Sequence, residues 1–209
     1  MITICHLGMS QSDRIVWLME ELGLPYELEW YTRGEDFLSP PEFRALHPAA
    51  TAPIIKDGDV VLPEALAIVD YITQKYAGGK LSVAPTESNY ADYLYWMQIN
   101  SNLQSAIFCK MAAGEDADAE NGMLKSMQRR LDGYFNAAEQ RLGEVPYLAG
   151  EEFTNTEIMA MFPLTMMTAF AGLTLDQYPN ITAYVARVGA RSAYIKAQEL
   201  AGPAAEKPA

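Results

Sequence analysis

Short β-rich apolar runs alternate with helical stripes up to residue 76, and beyond residue 88 the apolar spacing is helical throughout. Residues 2–7 (ITICHL) read as a strand. A helix follows from about Ser12, with Ile15, Leu18, Met19 and Leu22 on one face; Gly23 supplies its stop and Pro25 comes just after. Residues 26–31 form a second strand. A polar loop with Gly34 and Pro40-Pro41 then leads to a short helix near 41–46. Ile54-Ile55 and residues 60–62 flank Lys56-Asp57-Gly58-Asp59, a hairpin signal. A third helix covers 64–76, with Ile68, Val69 and Ile72 turned inward.

This order, β-α-β-α-β-β-α, closes an α/β unit over residues 1–77. A Gly-, Ser- and Pro-containing linker occupies 78–88. An all-helical domain spans 89–200, and 201–209 form a flexible tail. Candidate helices cover about 88–113, 120–143, 154–171, 176–189 and 192–200.

Composition narrows the classes. A net charge of −12 over 209 residues argues against phosphate-backbone binding, so no nucleic acid is expected as a partner. Two cysteines, Cys5 and Cys109, with no CxxC exclude a disulfide framework, a dithiol redox site and a cysteine metal cluster. Both are expected to be reduced and buried. The first residues lack a basic stretch followed by a long apolar one, which points to a cytoplasmic protein without a signal peptide. Residues 158–175 carry no charge and reach the lower length limit of a membrane span. They follow Thr154 and Glu157 at capping-box spacing, however, and contain Pro163 and Gly172, so they read as a buried core helix kinked at the proline.

The chemistry concentrates in residues 51–65. Ala52-Pro53 puts an X-Pro bond at a strand entrance, a position that favours a cis peptide and turns the N–H and C=O of Ala52 outward. Past the hairpin, the N-terminus of the helix opening at Glu64 offers N–H groups to a carboxylate. Together these suit a small extended peptide bearing carboxylates.

Four segments, HLGMSQSDRIVWLMEELGLPYE, ALHPAATAPIIKDGDVVL, PEALAIVDYI and FTNTEIMAMFPL, in this order and spacing resemble the soluble glutathione transferases. The resemblance implies a thioredoxin-like N-terminal domain, an all-α C-terminal domain, glutathione as co-substrate, no metal, and a homodimer. It points to a bacterial type with serine at the activating position. It places the activating hydroxyl at Ser10, with Ser12 as the alternative; either serine also suits a helix cap. A hydroxyl donating to the glutathione sulfur favours the thiolate, the form that reacts. Ala52 matches the residue whose backbone pairs with the cysteinyl part of glutathione, and Pro53 the family's cis-proline. Glu64 matches the acceptor of the γ-glutamyl ammonium. Two positions depart from the pattern. Ala65 stands where a serine hydroxyl usually binds the γ-glutamyl carboxylate, and Thr51 stands where lysine or glutamine is common.

Met9, Phe108 and Met111 are candidates for an apolar substrate pocket; other methionines and tyrosines, Met97, Met161 and Met166 among them, read as core. His6 ends the first strand and His47 precedes Pro48, and neither carries a strong signal. Three readings remain open at this point. One is conjugation of glutathione to an apolar electrophile, as in detoxification. Another is a glutathione-dependent lyase or isomerase acting on one metabolite, and the third is a noncatalytic binding protein on the same scaffold.

Overall fold

The computed structural model describes residues 1–113 and 121–207. The chain divides into two compact units, one of residues 1–82 with 189–209 and the other of residues 83–188.

In the first unit a four-stranded mixed sheet runs in the order β2-β1-β3-β4. Its strands are β1 (Ile2–Leu7), β2 (Tyr26–Tyr31), β3 (Ile54–Asp57) and β4 (Val60–Pro63). β1 pairs parallel with β2, Cys5 opposite Glu29 and His6 opposite Trp30, and antiparallel with β3, Cys5 opposite Ile54. β3 pairs with β4, Ile54 opposite Pro63. Gly58, at φ 59, makes the tight turn between them. β1 alternates faces. Cys5 and Leu7 pack with Ile54 and with Phe43 of α2 (Pro41–Arg44), and His6 points to the opposite side.

α1 (Asp13–Leu22) ends as the sequence indicates. Gly23 adopts φ 65, its N–H donates to the Glu20 carbonyl, and the Leu24 N–H donates to the Met19 carbonyl, a Schellman closure. Ile15, Val16, Trp17, Leu18 and Met19 are all buried, which is more than one stripe, because a second helix covers α1. That helix is α9 (Ser192–Ala201), which the sequence division assigns to the helical domain. It packs on α1 inside the first unit. Trp17 meets Tyr194 edge-on at 4.8 Å, Arg191 holds Glu21 through two bonds of 2.6 and 2.8 Å, and Lys196 pairs with Glu20 at 2.7 Å. Ala201 and Gly202, in the expected flexible tail, are buried, while residues 208–209 lie outside the described residues. α3 (Ala65–Tyr76) begins one residue later than expected, with Glu64 as its N-cap.

The second unit is helical. α4 (Tyr90–Ala113) and α5 (Gly122–Glu144) pack side by side around Trp96, Leu103, Ile107, Leu131 and Tyr134. Residue 120, the expected start of α5, lies outside the described residues. The single helix expected over 154–171 is broken into α6 (Asn155–Phe162), a π-helical turn (Pro163–Met167) and α7 (Thr168–Phe170). Pro163 has no N–H to continue the ladder, and the Thr165 and Thr168 hydroxyls donate back to the Met161 and Leu164 carbonyls at 2.7 and 2.9 Å. α8 (Pro179–Gly189) follows. Among the described residues no helix is long and apolar enough to cross a membrane. Cys109, expected to be buried, is exposed; the apolar residues of α4 are spread around the helix, so that Ile107 is buried while Phe108 and Met111 are exposed.

The capping box is present in full and forms the polar centre of this unit. The fully buried Glu157 carboxylate accepts from the backbone N–H of Leu148 (3.0 Å) and Thr154 (2.8 Å) and from the hydroxyls of Thr154, Thr156 and Tyr184. Burial pushes its carboxyl above the ordinary value against the pull of those bonds. Glu157→Ala leaves two buried backbone N–H groups without their acceptor and is expected to destabilise the protein by about 3 kcal/mol. Urea unfolding followed by circular dichroism checks this, and a loss of only a few tenths of a kcal/mol would show that the carboxylate is dispensable.

Candidate functional site

The strand register decides which loops meet. Cys5, Ile54 and Pro63 lie side by side across β1, β3 and β4. Residues 8–12 leave β1 two positions beyond Cys5, residues 51–53 enter β3 immediately before Ile54, and Glu64 follows Pro63. All three segments therefore emerge at one edge of the sheet. Ala52 packs against the Cys5–Leu7–Ile54 cluster, and the Thr51 hydroxyl lies 3.4 Å from a Glu64 carboxylate oxygen. The structure thus brings together Ser10, Ser12, Thr51, Ala52, Pro53, Glu64 and Ala65, all within the first unit.

The Ala52-Pro53 peptide is cis, as its position predicts. Glu64 has φ 75 and ψ 116, a conformation unfavourable for a residue with a Cβ. Its exposed side chain does not cap α3, so the first N–H groups of that helix receive nothing from their own N-cap. Ala65 is buried and contributes only backbone to this helix end. A helix N-terminus left open in this way favours an anion.

Ser10 and Ser12 are both buried, Ser12 completely. Ser12 sits at the N-cap of α1, but its backbone is already helical (φ −70, ψ −20) and its side chain makes no capping bond. The expectation that it caps α1 is corrected: its Oγ lies 2.8 Å from the Nδ1 of His6 and 2.8 Å from the Oγ of Ser10. The Ser12 N–H also donates to the Ser10 Oγ, at 3.3 Å. His6 is fully buried, edge-on to Trp30 at 4.2 Å, and burial pulls its imidazole from the ordinary 6.5 down to about 4. It is therefore neutral around pH 7.

Two residues contribute here that the sequence does not mark. His6 is one; only its alternation with Cys5 and Leu7 hints that it faces another environment. Arg33 is the other. Just past β2, it donates through Nε to the Gly8 carbonyl (2.8 Å) and through Nη2 to that of Met9 (3.3 Å), fixing the loop before Ser10. Met9 itself has φ 51 and an exposed side chain. His47 serves its own turn, its Nδ1 accepting from the Ala49 N–H. Phe108 and Met111 stand exposed on α4, in the second unit.

Residues 8–75 match the family described as glutathione S-transferase, N-terminal domain, and residues 83–192 match glutathione S-transferase, C-terminal domain. The chain belongs to the glutathione S-transferase family. Glutathione S-transferase 3 of Schizosaccharomyces pombe is 30% identical over 215 residues, covering 92% of this chain and 85% of that protein. Glutathione S-transferase GstB of Escherichia coli K12 is 26% identical over 203 residues, covering 94% and 97%. A crystal structure of a glutathione S-transferase from Actinobacillus pleuropneumoniae superposes with a TM-score of 0.89 at 32% identity, covering all of this chain and 97% of that one. A sphingomonad glutathione S-transferase solved with glutathione shares the fold, with a TM-score of 0.75 at 19% identity over 97% of this chain and 100% of that one. The chain is a glutathione transferase, and the noncatalytic reading is set aside.

In this transferase the Glu64 backbone stores strain at the sheet edge where the three segments meet. At φ 75 a Cβ is a liability, so the usual order of residues reverses. Glu64→Gly is expected to be more stable than Glu64→Ala by about 1 kcal/mol. Parallel urea titrations of the two variants measure the difference; a more stable alanine variant would mean that the backbone relaxes when the side chain is lost.

Proposed function

We propose that this transferase binds glutathione at the sheet edge of its first unit, holds the sulfur as thiolate through a hydrogen bond from the Ser10 hydroxyl, and conjugates it to apolar electrophiles. The thiolate sulfur supplies the electron pair of the new carbon–sulfur bond, and a displaced group leaves with the pair that bound it. The observation that carries this reading is the meeting at one edge of a buried, hydrogen-bonded Ser10, the Ala52 backbone, and an α3 N-terminus left without a side-chain cap. A peptide fits these groups in order. The Ala52 backbone pairs with its cysteinyl part, Glu64 accepts its ammonium, and the Ala65 N–H receives its γ-glutamyl carboxylate. With Ala65 in place, that carboxylate depends on backbone donors more than where the family pattern has serine, and Thr51 offers less than lysine or glutamine to the glycine end of glutathione.

Met9 on the first unit and, separately, Phe108 and Met111 on the second are exposed apolar side chains suited to an electrophile of low polarity. Family likeness supports a homodimer in the cytoplasm, and the exposed Leu94 and Tyr95 of α4 add apolar surface consistent with assembly.

Isothermal titration with glutathione and steady-state conjugation of 1-chloro-2,4-dinitrobenzene test the reading together. Glu64→Ala is expected to raise the glutathione Kd about tenfold or more, the equivalent of ~1.4 kcal/mol. Ser10→Ala is expected to lower kcat/KM near neutral pH by about tenfold, to shift the kinetic thiol pKa upward, and to leave the glutathione Kd nearly unchanged. If Ser12→Ala alone produced the pKa shift, the sulfur contact would be Ser12. Tight glutathione binding with no conjugation of any apolar electrophile would favour the lyase or isomerase reading.

A further inference from the structure

We infer that His6 is a positioning residue: held with its proton on Nδ1, it sets the direction of the hydrogen bonds through Ser12 so that the Ser10 hydroxyl proton is left for the glutathione sulfur. The inference deepens the reading of Ser10 as the sulfur contact and rests on it.

The argument is a count of protons along three atoms. His6 Nδ1, Ser12 Oγ and Ser10 Oγ form a chain with successive separations of 2.8 and 2.8 Å. Each hydroxyl has one proton to donate and two lone pairs with which to accept. Suppose Nδ1 carries the imidazole proton. It donates to Ser12, whose own proton then goes to the Ser10 Oγ, a nearer acceptor than the Leu7 carbonyl at 3.3 Å. Ser10 also accepts from the Ser12 N–H at 3.3 Å. Both of its lone pairs are then engaged, and its O–H is the one donor with no partner inside the network. Suppose instead that the proton is on Nε2. Nδ1 becomes an acceptor, Ser12 donates to it, and the lone pairs of Ser12 draw the Ser10 proton inward, away from a ligand. The same heavy atoms thus make Ser10 a donor to sulfur in one tautomer and a spent donor in the other.

The surroundings of the ring select between the two. Nε2 is buried with no hydrogen-bond partner among the described residues, and the ring lies edge-on to Trp30. A proton on Nε2 would be a buried N–H with no protein acceptor among the described residues, whereas a bare Nε2 leaves only an unfilled lone pair, the milder defect. Burial also keeps the ring neutral near pH 7, so one nitrogen carries a proton and the other does not.

The test has two arms. In the first, nitrogen-15 NMR of the wild-type protein with labelled histidine reads the tautomer directly. The expected result is a pyrrole-like Nδ1 and a pyridine-like Nε2 for His6; the reverse overturns the inference whatever Ser10 does. In the second, the pH profile of kcat/KM for conjugation is measured for His6→Leu, His6→Asn and Ser10→Ala, with glutathione Kd measured alongside. His6→Leu is expected to move the kinetic thiol pKa upward by about one unit, in the direction of Ser10→Ala, with Kd little changed. His6→Asn, whose amide N–H reaches the place of Nδ1–H, is expected to recover most of that shift, which a purely structural role would not predict. A shifted profile in Ser10→Ala with an unshifted one in folded His6→Leu overturns the role of His6 and leaves Ser10 standing. No shift in Ser10→Ala overturns both. Should His6→Leu fail to fold, the NMR arm and the His6→Asn profile decide.

Discussion

Everything proposed for this protein depends on the register of three neighbouring strands. Because Cys5, Ile54 and Pro63 are aligned, the chain leaves or enters the sheet at one level in three places, after Leu7, before Ile54 and after Pro63. A slip of one residue in β3 would turn Ile54 and Ile55 to the opposite faces and separate Ala52 from the Cys5–Leu7 cluster. The apolar burial of Cys5, Leu7, Phe43 and Ile54 makes such a slip costly, so the energy that packs one face of the sheet also positions the loops at its edge.

On this rigid frame sit groups that no stable fold needs for itself. Glu64 holds a backbone conformation that a residue with a Cβ avoids, α3 starts without a side-chain cap, and a histidine is buried with one nitrogen unpaired. Each opposes folding by an amount on the order of 1–3 kcal/mol. They lie within a few residues of the same sheet edge. In the second unit, Glu157 is fully engaged, with five donors meeting one carboxylate, and Asn100 bonds Trp96, Thr156 and Tyr134. The contrast between a strained edge and the closely paired Glu157 and Asn100 clusters is what a binding site supported by a stable scaffold looks like.

The legible parts of the sequence are those fixed by local rules. Gly23 ends α1 because a left-handed closure needs no Cβ there, Asp57-Gly58 turns the hairpin, and Thr154 with Glu157 opens α6. The candidate residues at positions 51–65 gather as their spacing indicates. What the sequence hides is set by distant partners. Nothing in Ser192–Ala201 announces that it covers α1, since its match lies in Glu20, Glu21 and Trp17 at the other end of the chain. Ser12 follows the local rule for a cap in sequence and breaks it in space, because His6 offers its hydroxyl a buried partner. Cys109 reads as core only if α4 has one apolar stripe, and it has apolar residues on more than one face.

The most direct test of the account is a titration of the isotope-labelled protein with glutathione, followed through its backbone amide resonances. If the register-built edge is the binding site, the largest and earliest changes fall on Ser10, Ala52 and residues 64–66, with the Ala65 amide moving in the direction of a stronger hydrogen bond. Saturable changes that bypass these residues and gather elsewhere in the protein would contradict it.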